Sequence, residues 1–105
     1  MNLSPTRLCK CLGDDLRLGL ICLMETGSEI CVCDLVEALG APQSTISRHL
    51  AQLRGCELVV ARRQGTWMHY RLNPALPGWA LTVIETLAEP ARSQLGVRAP
   101  ATLCG

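Results

Sequence analysis

The stretch VCDLVEALGAPQSTISRHLAQLR, residues 32–54, decides the fold of this chain. Apolar residues at helical spacing predict a short helix from Cys31 to Leu39, which ends at Gly40, a residue type that commonly stops helices. After a tight turn, a second helix is predicted from Gln43 to Arg54, with a buried stripe formed by Ile46, Leu50 and Leu53. This pattern is typical of a helix-turn-helix.

The exposed face of the second helix carries side chains that can read DNA. Gln and Arg make bidentate contacts with adenine and guanine edges, whereas Ser and Thr hydroxyls and a helix N-terminus favour phosphate. We therefore predict major-groove contacts to double-stranded DNA from Gln43, Ser44, Thr45, Ser47, Arg48 and His49. The alternative is an ordinary solvated helix face.

A β-hairpin is predicted directly after this helix. Two β-compatible runs, Leu58 to Arg62 and Trp67 to Leu72, are separated by a turn in which Gly65 can supply a positive φ. A hairpin in this position is a wing. The side chains at its tip are expected to contact flanking DNA and to contribute salt-dependent affinity: Arg62, Arg63 and Gln64.

Three further helices complete the predicted architecture. Ser4-Pro5 starts a first helix that runs to about Leu12, and Asp14 or Asp15 caps a central second helix over Leu16 to Met24. A last helix runs from Trp79 to Leu87, and Pro90 is expected to stop or kink it. The expected fold is mainly α with a small β-hairpin, a winged helix-turn-helix of order ααααββα that forms a dimer.

Composition and charge agree with a single DNA-binding domain. Length and patterning assign residues 1–95 to a DNA-binding and dimerisation domain and residues 96–105 to a flexible C-terminal tail. The net charge is only +1, but residues 43–73 carry five arginines against Glu57 alone, which favours nucleic acid as a partner. No apolar run long enough to span a membrane and no signal sequence occurs, so a cytoplasmic location is expected.

The seven cysteines suggest metal binding or redox chemistry. In a reducing compartment their thiols are expected to stay free. Cys31 and Cys33 flank the start of the third helix, where the helix dipole favours soft thiolate ligands. In a regular helix, side chains two residues apart point to nearly opposite sides, so we expect that an ion joining both sulfurs distorts the first turn. Such a distortion could shift the recognition helix.

Three motifs in order resemble the ArsR/SmtB family of metal-responsive repressors, in particular its arsenic-responsive branch. They are Glu29-Ile30-Cys31-Val32-Cys33-Asp34-Leu35, Gln43-Ser44-Thr45-Ile46-Ser47-Arg48-His49-Leu50 and Arg63-Gln64-Gly65-Thr66-Trp67-Met68-His69-Tyr70-Arg71-Leu72. The resemblance implies a homodimer joined by its first and last helices. It also implies binding to operator DNA without a cofactor, and release when As(III) or Sb(III) binds Cys31 and Cys33.

The chain departs from the resemblance at the third thiolate. Arsenic-responsive relatives often carry a third cysteine where this chain has Val36. Cys104 is then the first candidate for a third ligand, followed by Cys9 and Cys11, unless there is none. Cys9 and Cys11 also leave a cadmium- or lead-responsive repressor open, because such relatives complete a four-thiolate site with N-terminal cysteines.

The remaining cysteines and His69 are not among the expected ligands of the inducer. Cys22 is expected in the core, Cys56 has no assigned role, and His69 is expected to be structural. Zinc or nickel sensing through the last helix is disfavoured because residues 79–95 contain no histidine.

Two other classes of protein compete with a metalloid-responsive repressor. In a thiol redox sensor, Cys31 or Cys33 would pair with another cysteine on oxidation. An enzyme is not expected, because the sequence has no Cys-x-x-Cys, no phosphate-binding glycine loop and no nucleophile-base set.

Overall fold

The computed structural model describes residues 2–96, and it contains five helices and three strands within that range. The elements are α1 (Pro5–Leu12), α2 (Asp15–Met24), β1 (Ile30–Cys31), α3 (Val32–Leu39), α4 (Gln43–Gly55), β2 (Val59–Gln64), β3 (Trp67–Leu72) and α5 (Gly78–Leu95). The mainly helical winged fold is confirmed. The predicted tail, apart from Gly96, lies outside the described residues, and so does Cys104.

The first two helices begin where their capping residues predict. The Ser4 hydroxyl accepts a hydrogen bond from the Arg7 N–H at 3.1 Å, and Pro5 opens α1. The Asp14 carboxylate accepts from the N–H groups of Leu16 and Arg17 at 3.0 and 3.1 Å. Each cap satisfies amide donors that have no partner inside the helix.

The sheet has one strand more than the predicted hairpin. Its order is β1-β3-β2, and both pairings are antiparallel. The added strand, β1, is only two residues long and was missed because so short a run has no detectable alternation. It sets Ile30 opposite Tyr70 and Cys31 opposite His69. The segment before α3 is thereby attached to the wing.

The wing is longer and its turn tighter than predicted. β2 continues through Arg62 and Arg63 to Gln64, which pairs with Trp67. Only Gly65 and Thr66 remain in the turn, where Gly65 has a φ of 63°. A two-residue hairpin turn commonly requires such a positive φ, which glycine adopts without steric cost.

The last helix does not stop at Pro90, which was one of the two effects expected of this residue. α5 runs through Pro90 to Leu95 instead of ending near Leu87. The residues around the proline are held from outside the helix, because Ala88 and Ala91 pack on the buried Cys22 and Arg92 donates to the Cys22 carbonyl at 2.8 Å. These contacts with α2 offset the hydrogen bond that the proline removes.

The core is mainly aliphatic, and it centres on α2, the helix predicted to be central. Six successive residues of α2, Gly19 to Met24, are buried, and the helix packs on α1, α3, α4 and α5. The stripe Ile46, Leu50 and Leu53 of α4 is fully buried beneath it. Of the helices within residues 2–96, none combines the length and the apolarity that crossing a bilayer requires.

We predict that Asp14→Ala destabilises the fold at neutral pH by about 1 kcal/mol, because the α2 amides lose their cap. The hydrogen bond from the Arg17 amide is the chief reason that the pKa of Asp14 lies below its usual 3.8. A lowered pKa stabilises the folded state above pH 3.8, and that contribution disappears as the pH falls through the folded value. Urea unfolding of the wild type and of Asp14→Ala at pH 7 and near pH 3 measures the difference in their free energies of unfolding. Asp15→Ala is the control. An equal difference at both pH values would contradict the assignment.

Candidate DNA-binding surface and thiol site

The N-terminal half of α4 presents most of the predicted DNA-reading side chains to solvent. Gln43, Ser44, Ser47 and Arg48 are exposed, and Thr45 is half-buried. The helix begins after Pro42 with no side-chain cap, which leaves its first amide groups available to an acceptor outside the protein. The surface therefore has the composition and the free helix end of a recognition helix.

His49 does not belong to this exposed surface, which corrects its predicted placement. Only 9% of the residue is exposed, because position 49 follows the buried Ile46 by three residues and shares its face. The His49 Nδ1 atom lies 3.4 Å from Arg17 Nη1 and 3.1 Å from Gln52 Oε1, and 3.9 Å from the Asp14 carboxylate. These contacts make His49 an anchor of α4 on α2.

The three wing residues differ in their surroundings. Arg62 donates from Nε and Nη2 to the two carboxylate oxygens of Glu29, at 2.8 and 2.6 Å, and from Nη2 to Gln64 at 2.9 Å. The hydrogen bonds from Arg62 hold the pKa of the Glu29 carboxyl below its usual range. Arg63 and Arg62 are both exposed, and the ion pair with Glu29 is what distinguishes Arg62.

The two predicted metal-binding thiols lie side by side. Cys31 ends β1 and is also the N-cap residue of α3, with φ −67° and ψ 143°. This extended backbone turns its side chain towards Cys33, and the two Sγ atoms are 2.8 Å apart. Because Cys31 precedes the helix, the two residues do not have the regular helical spacing on which the expected distortion was based. A distortion of the first turn on ion binding stays a prediction. The pair already has the convergence that a soft ion needs from two thiolate ligands.

The surroundings of this pair offer no third ligand within residues 2–96. No cluster of three or more Cys, His, Asp or Glu side chains suited to a metal occurs there. Val36 is half-buried against the core, Cys9 is exposed on α1, and Cys11 is bonded elsewhere. His69 is the cross-strand neighbour of Cys31 in the sheet, and its structural role stays a prediction.

Two other cysteines change the expectation of free thiols. Cys11, in α1, and Cys56, which follows α4, form a disulfide. Cys22 is buried at 1% exposure, as expected, and burial raises the pKa of its thiol. Cys56 thus acquires a partner that spacing along the sequence could not indicate.

Sequence reasoning also missed the polar side chains that hold the site together. Glu29 joins the segment before Cys31 to the wing strand β2 through Arg62. Arg17 joins α2 to the end of α1 and to α4. Glu29 is the first residue of the quoted cysteine motif, which was a signal of its position, but nothing in the sequence marks Arg17.

A helix-turn-helix with an exposed recognition helix, followed by a hairpin with an exposed arginine, defines a winged-helix DNA-binding protein. The model of the bacterial regulatory protein arsR family matches residues 14–60. The arsenical resistance operon repressor of Escherichia coli is 49% identical over 83 residues, which are 79% of this chain and 71% of that protein. This chain belongs to the ArsR family. It is therefore a transcriptional regulator and not an enzyme.

Solved structures agree with this assignment. HlyU from Vibrio cholerae is 30% identical with a TM-score of 0.71, and the match covers 78% of this chain and 85% of that one. The AntR antimony-specific transcriptional repressor is 31% identical with a TM-score of 0.65, and covers 83% and 78%. A homodimeric winged helix-turn-helix domain from Mycobacterium bovis is 28% identical with a TM-score of 0.67, and covers 86% and 80%.

The burial of the thiols predicts the order in which they react. With the folded, dithiothreitol-treated protein, iodoacetamide should modify Cys9 and Cys33 well before Cys31 and Cys22, because the latter two are each only 1% exposed. Mass spectrometry of quenched time points measures the order, and the urea-unfolded protein is the control in which the differences vanish. Modification of Cys31 ahead of Cys33 would contradict the structure of the pair.

Proposed function

We propose that this protein represses transcription by binding operator DNA as a homodimer, and that trivalent arsenic or antimony releases it by binding Cys31 and Cys33. One observation carries the proposal: the two sulfur atoms lie 2.8 Å apart at the start of α3, directly ahead of the recognition helix. A dithiolate selects soft, thiophilic ions over hard ones.

The relatives support this choice of inducer. Several similar proteins are named as arsenical resistance repressors or regulators, including one from Escherichia coli and one from Pseudomonas putida. A structural neighbour is an antimony-specific repressor. Cadmium and lead are less favoured as inducers. A four-thiolate site for either ion would require Cys9 and Cys11 beside Cys31 and Cys33, and no such cluster forms within residues 2–96 of one protomer. The two ions are used below for comparison.

The proposed dimer uses the outer helices. Trp79 and Leu87 of α5 are 40% and 38% exposed, and a subunit interface on this helix would cover them. The homodimeric Mycobacterium bovis domain shares the fold. A homodimer would place two α4 helices for a two-fold symmetric operator. A repressor of this kind is expected to act in the cytoplasm.

The proposed release follows the packing between the thiol pair and the DNA surface. Cys31 belongs to β1, which is paired with the wing strand β3, and it also starts α3, which packs on α4. An ion drawing the two sulfurs into its own coordination geometry would pull on both the strand and the helix. A coupling free energy of about 1–3 kcal/mol would lower DNA affinity by about 5- to 150-fold.

Arg48 and Arg63 are predicted to contribute differently to DNA binding. Arg48→Ala should lose about 1–3 kcal/mol of discrimination between a duplex selected from a random library and a scrambled one. Arg63→Ala should weaken binding to both duplexes and reduce the salt slope by about 0.9 for each phosphate that is no longer neutralised. Fluorescence anisotropy over a salt series measures both effects, with Lys10→Ala, exposed on α1, as the control. Loss of specificity alone in Arg63→Ala would refute its assigned role.

The inducer assignment is tested by releasing the reduced protein from its selected duplex. Arsenite or antimonite should release the wild type but not Cys31→Ser or Cys33→Ser, because each substitution leaves one thiolate ligand. Cys9→Ser is the matched control and should respond like the wild type, since Cys9 lies exposed on α1. Anisotropy is recorded against the concentration of each ion, with cadmium, lead and zinc in parallel arms.

Full release of both Cys31→Ser and Cys33→Ser would overturn the proposed thiol site. Release by cadmium or lead at lower concentrations than arsenite or antimonite would retain the site and reject the ion.

A further inference from the structure

A second pair of cysteines, Cys11 and Cys56, joins the first helix to the end of the recognition helix. Cys11 lies in the last turn of α1, and Cys56 is the residue that caps the end of α4. Their disulfide spans 45 residues of sequence. The bond attaches the C-terminal end of α4 to α1. The N-terminal end of α4, which is the end proposed to face DNA, is not attached by this bond.

Hydrogen bonds hold the same two helices together independently of the sulfur atoms. Arg7 of α1 donates to the carbonyl of Gly55, the last residue of α4, at 2.6 Å. Arg17 donates to the Cys11 carbonyl at 2.7 Å and to Gln52 of α4 at 3.0 Å. Because these hydrogen bonds do not involve the sulfur atoms, we expect them to keep the two thiols near each other after reduction, which is the condition for rapid re-formation of the disulfide.

A small reagent can approach the pair from the side of Cys56, because Cys56 is half-buried whereas Cys11 is only 7% exposed. An open cleft of about 300 Å³ borders it, lined by Lys10, Cys11, Arg17, Gln52 and Cys56. Two of these lining residues are cationic. A cation beside a thiol favours the thiolate, which is the species that attacks a disulfide.

We propose that Cys11 and Cys56 form a reversible disulfide in response to a low-molecular-weight disulfide such as oxidised glutathione, and that this bond restrains α4 and makes DNA release less sensitive to the inducer. The second part rests on the proposed function above. Intracellular disulfides are usually transient and redox-sensing, which favours a regulatory over a permanent bond in a DNA-binding protein.

The chemistry is a thiol–disulfide exchange in two steps. One thiolate of the pair attacks glutathione disulfide, forms a mixed disulfide and expels one glutathione thiolate. The other cysteine then attacks the mixed disulfide, closes the Cys11–Cys56 bond and expels the second glutathione thiolate. Two protein thiols are oxidised, one glutathione disulfide is reduced to two thiols, and excess reduced glutathione reverses the sequence.

The effect on induction follows from where the bond is attached. Inducer binding is proposed to act on α4 from its α3 side, whereas the disulfide secures the far end of α4 to α1. A covalent bond at this end restricts how far α4 can move when the inducer binds. The oxidised protein should therefore stay on DNA at inducer concentrations that release the reduced protein.

The first test follows the bond and the helix without DNA. The wild-type protein, equilibrated with defined ratios of reduced to oxidised glutathione, is analysed by peptide mass spectrometry and by amide hydrogen exchange. We expect Cys11–Cys56 to be the principal disulfide and the amides at the end of α4 to exchange more slowly when it forms. Preferential pairing of Cys9 with either residue, or unchanged exchange, would overturn the proposal.

The second test measures induction in both redox states. Oxidised wild type should need at least about fivefold more antimonite for half-release than reduced wild type, the lower end of typical couplings. Because Cys31 and Cys33 could also be oxidised, Cys11→Ser and Cys56→Ser receive the same treatment, and both should keep the reduced response. Cys9→Ser, the matched control, should show the wild-type shift.

The outcomes separate the two proposals. Equal antimonite titrations for oxidised and reduced wild type would overturn the restraint, and an oxidised shift that persists in Cys11→Ser would assign it to Cys31 and Cys33. If the reduced protein fails to bind DNA or to respond to antimonite, the proposed function fails, and the disulfide mapping and exchange measurements still decide whether the bond forms and holds α4.

Discussion

The arrangement of the first, second and fourth helices depends on one guanidinium group. Arg17 lies at the start of α2 and donates to the carbonyls of Lys10 and Cys11 at the end of α1, while Nη1 also donates to Gln52 of α4. A planar guanidinium with five donors can satisfy carbonyl groups and a side-chain amide in one place, which a lysine could not do with the same geometry. The recognition helix is thus positioned by an ordered polar contact as well as by its apolar stripe.

A second polar contact does the same for the wing. The Arg62–Glu29 pair connects β2 to the residue just before β1, the strand that ends at Cys31. The wing and the thiol pair are therefore parts of one connected unit. Arg62, which is predicted to meet DNA, therefore also has a partner within the protein, while its side chain stays 56% exposed.

The sequence was sufficient for the features that local physics determines. Ser4 and Asp14 cap helices, Gly40 ends one with a φ of 65°, and the α4 stripe is buried, all as the pattern indicates. It failed where a distant partner decides the outcome. Pro90 stays helical because of contacts with α2, and β1 exists because β3 lies beside it.

The same distinction applies to the candidate site. The motif was enough to identify Cys31 and Cys33 as the candidate site. Their closeness depends on a strand that ends at Cys31, because two residues at this spacing inside a helix would point their sulfur atoms apart. His49 was misplaced because its polarity outweighed its position three residues after Ile46. The bond between Cys11 and Cys56 has no local signature, since tertiary packing alone brings α1 and the end of α4 together.

The unequal burial of Cys31 and Cys33 has a consequence for the timing of a response. An arriving ion would meet the more accessible sulfur first, in a step whose rate rises with ion concentration. Reaching the enclosed sulfur would then require a brief local opening of the protein, whose frequency does not depend on the ion. At high ion levels the response time would approach a constant set by the fold itself, so the structure would limit how quickly the signal is registered.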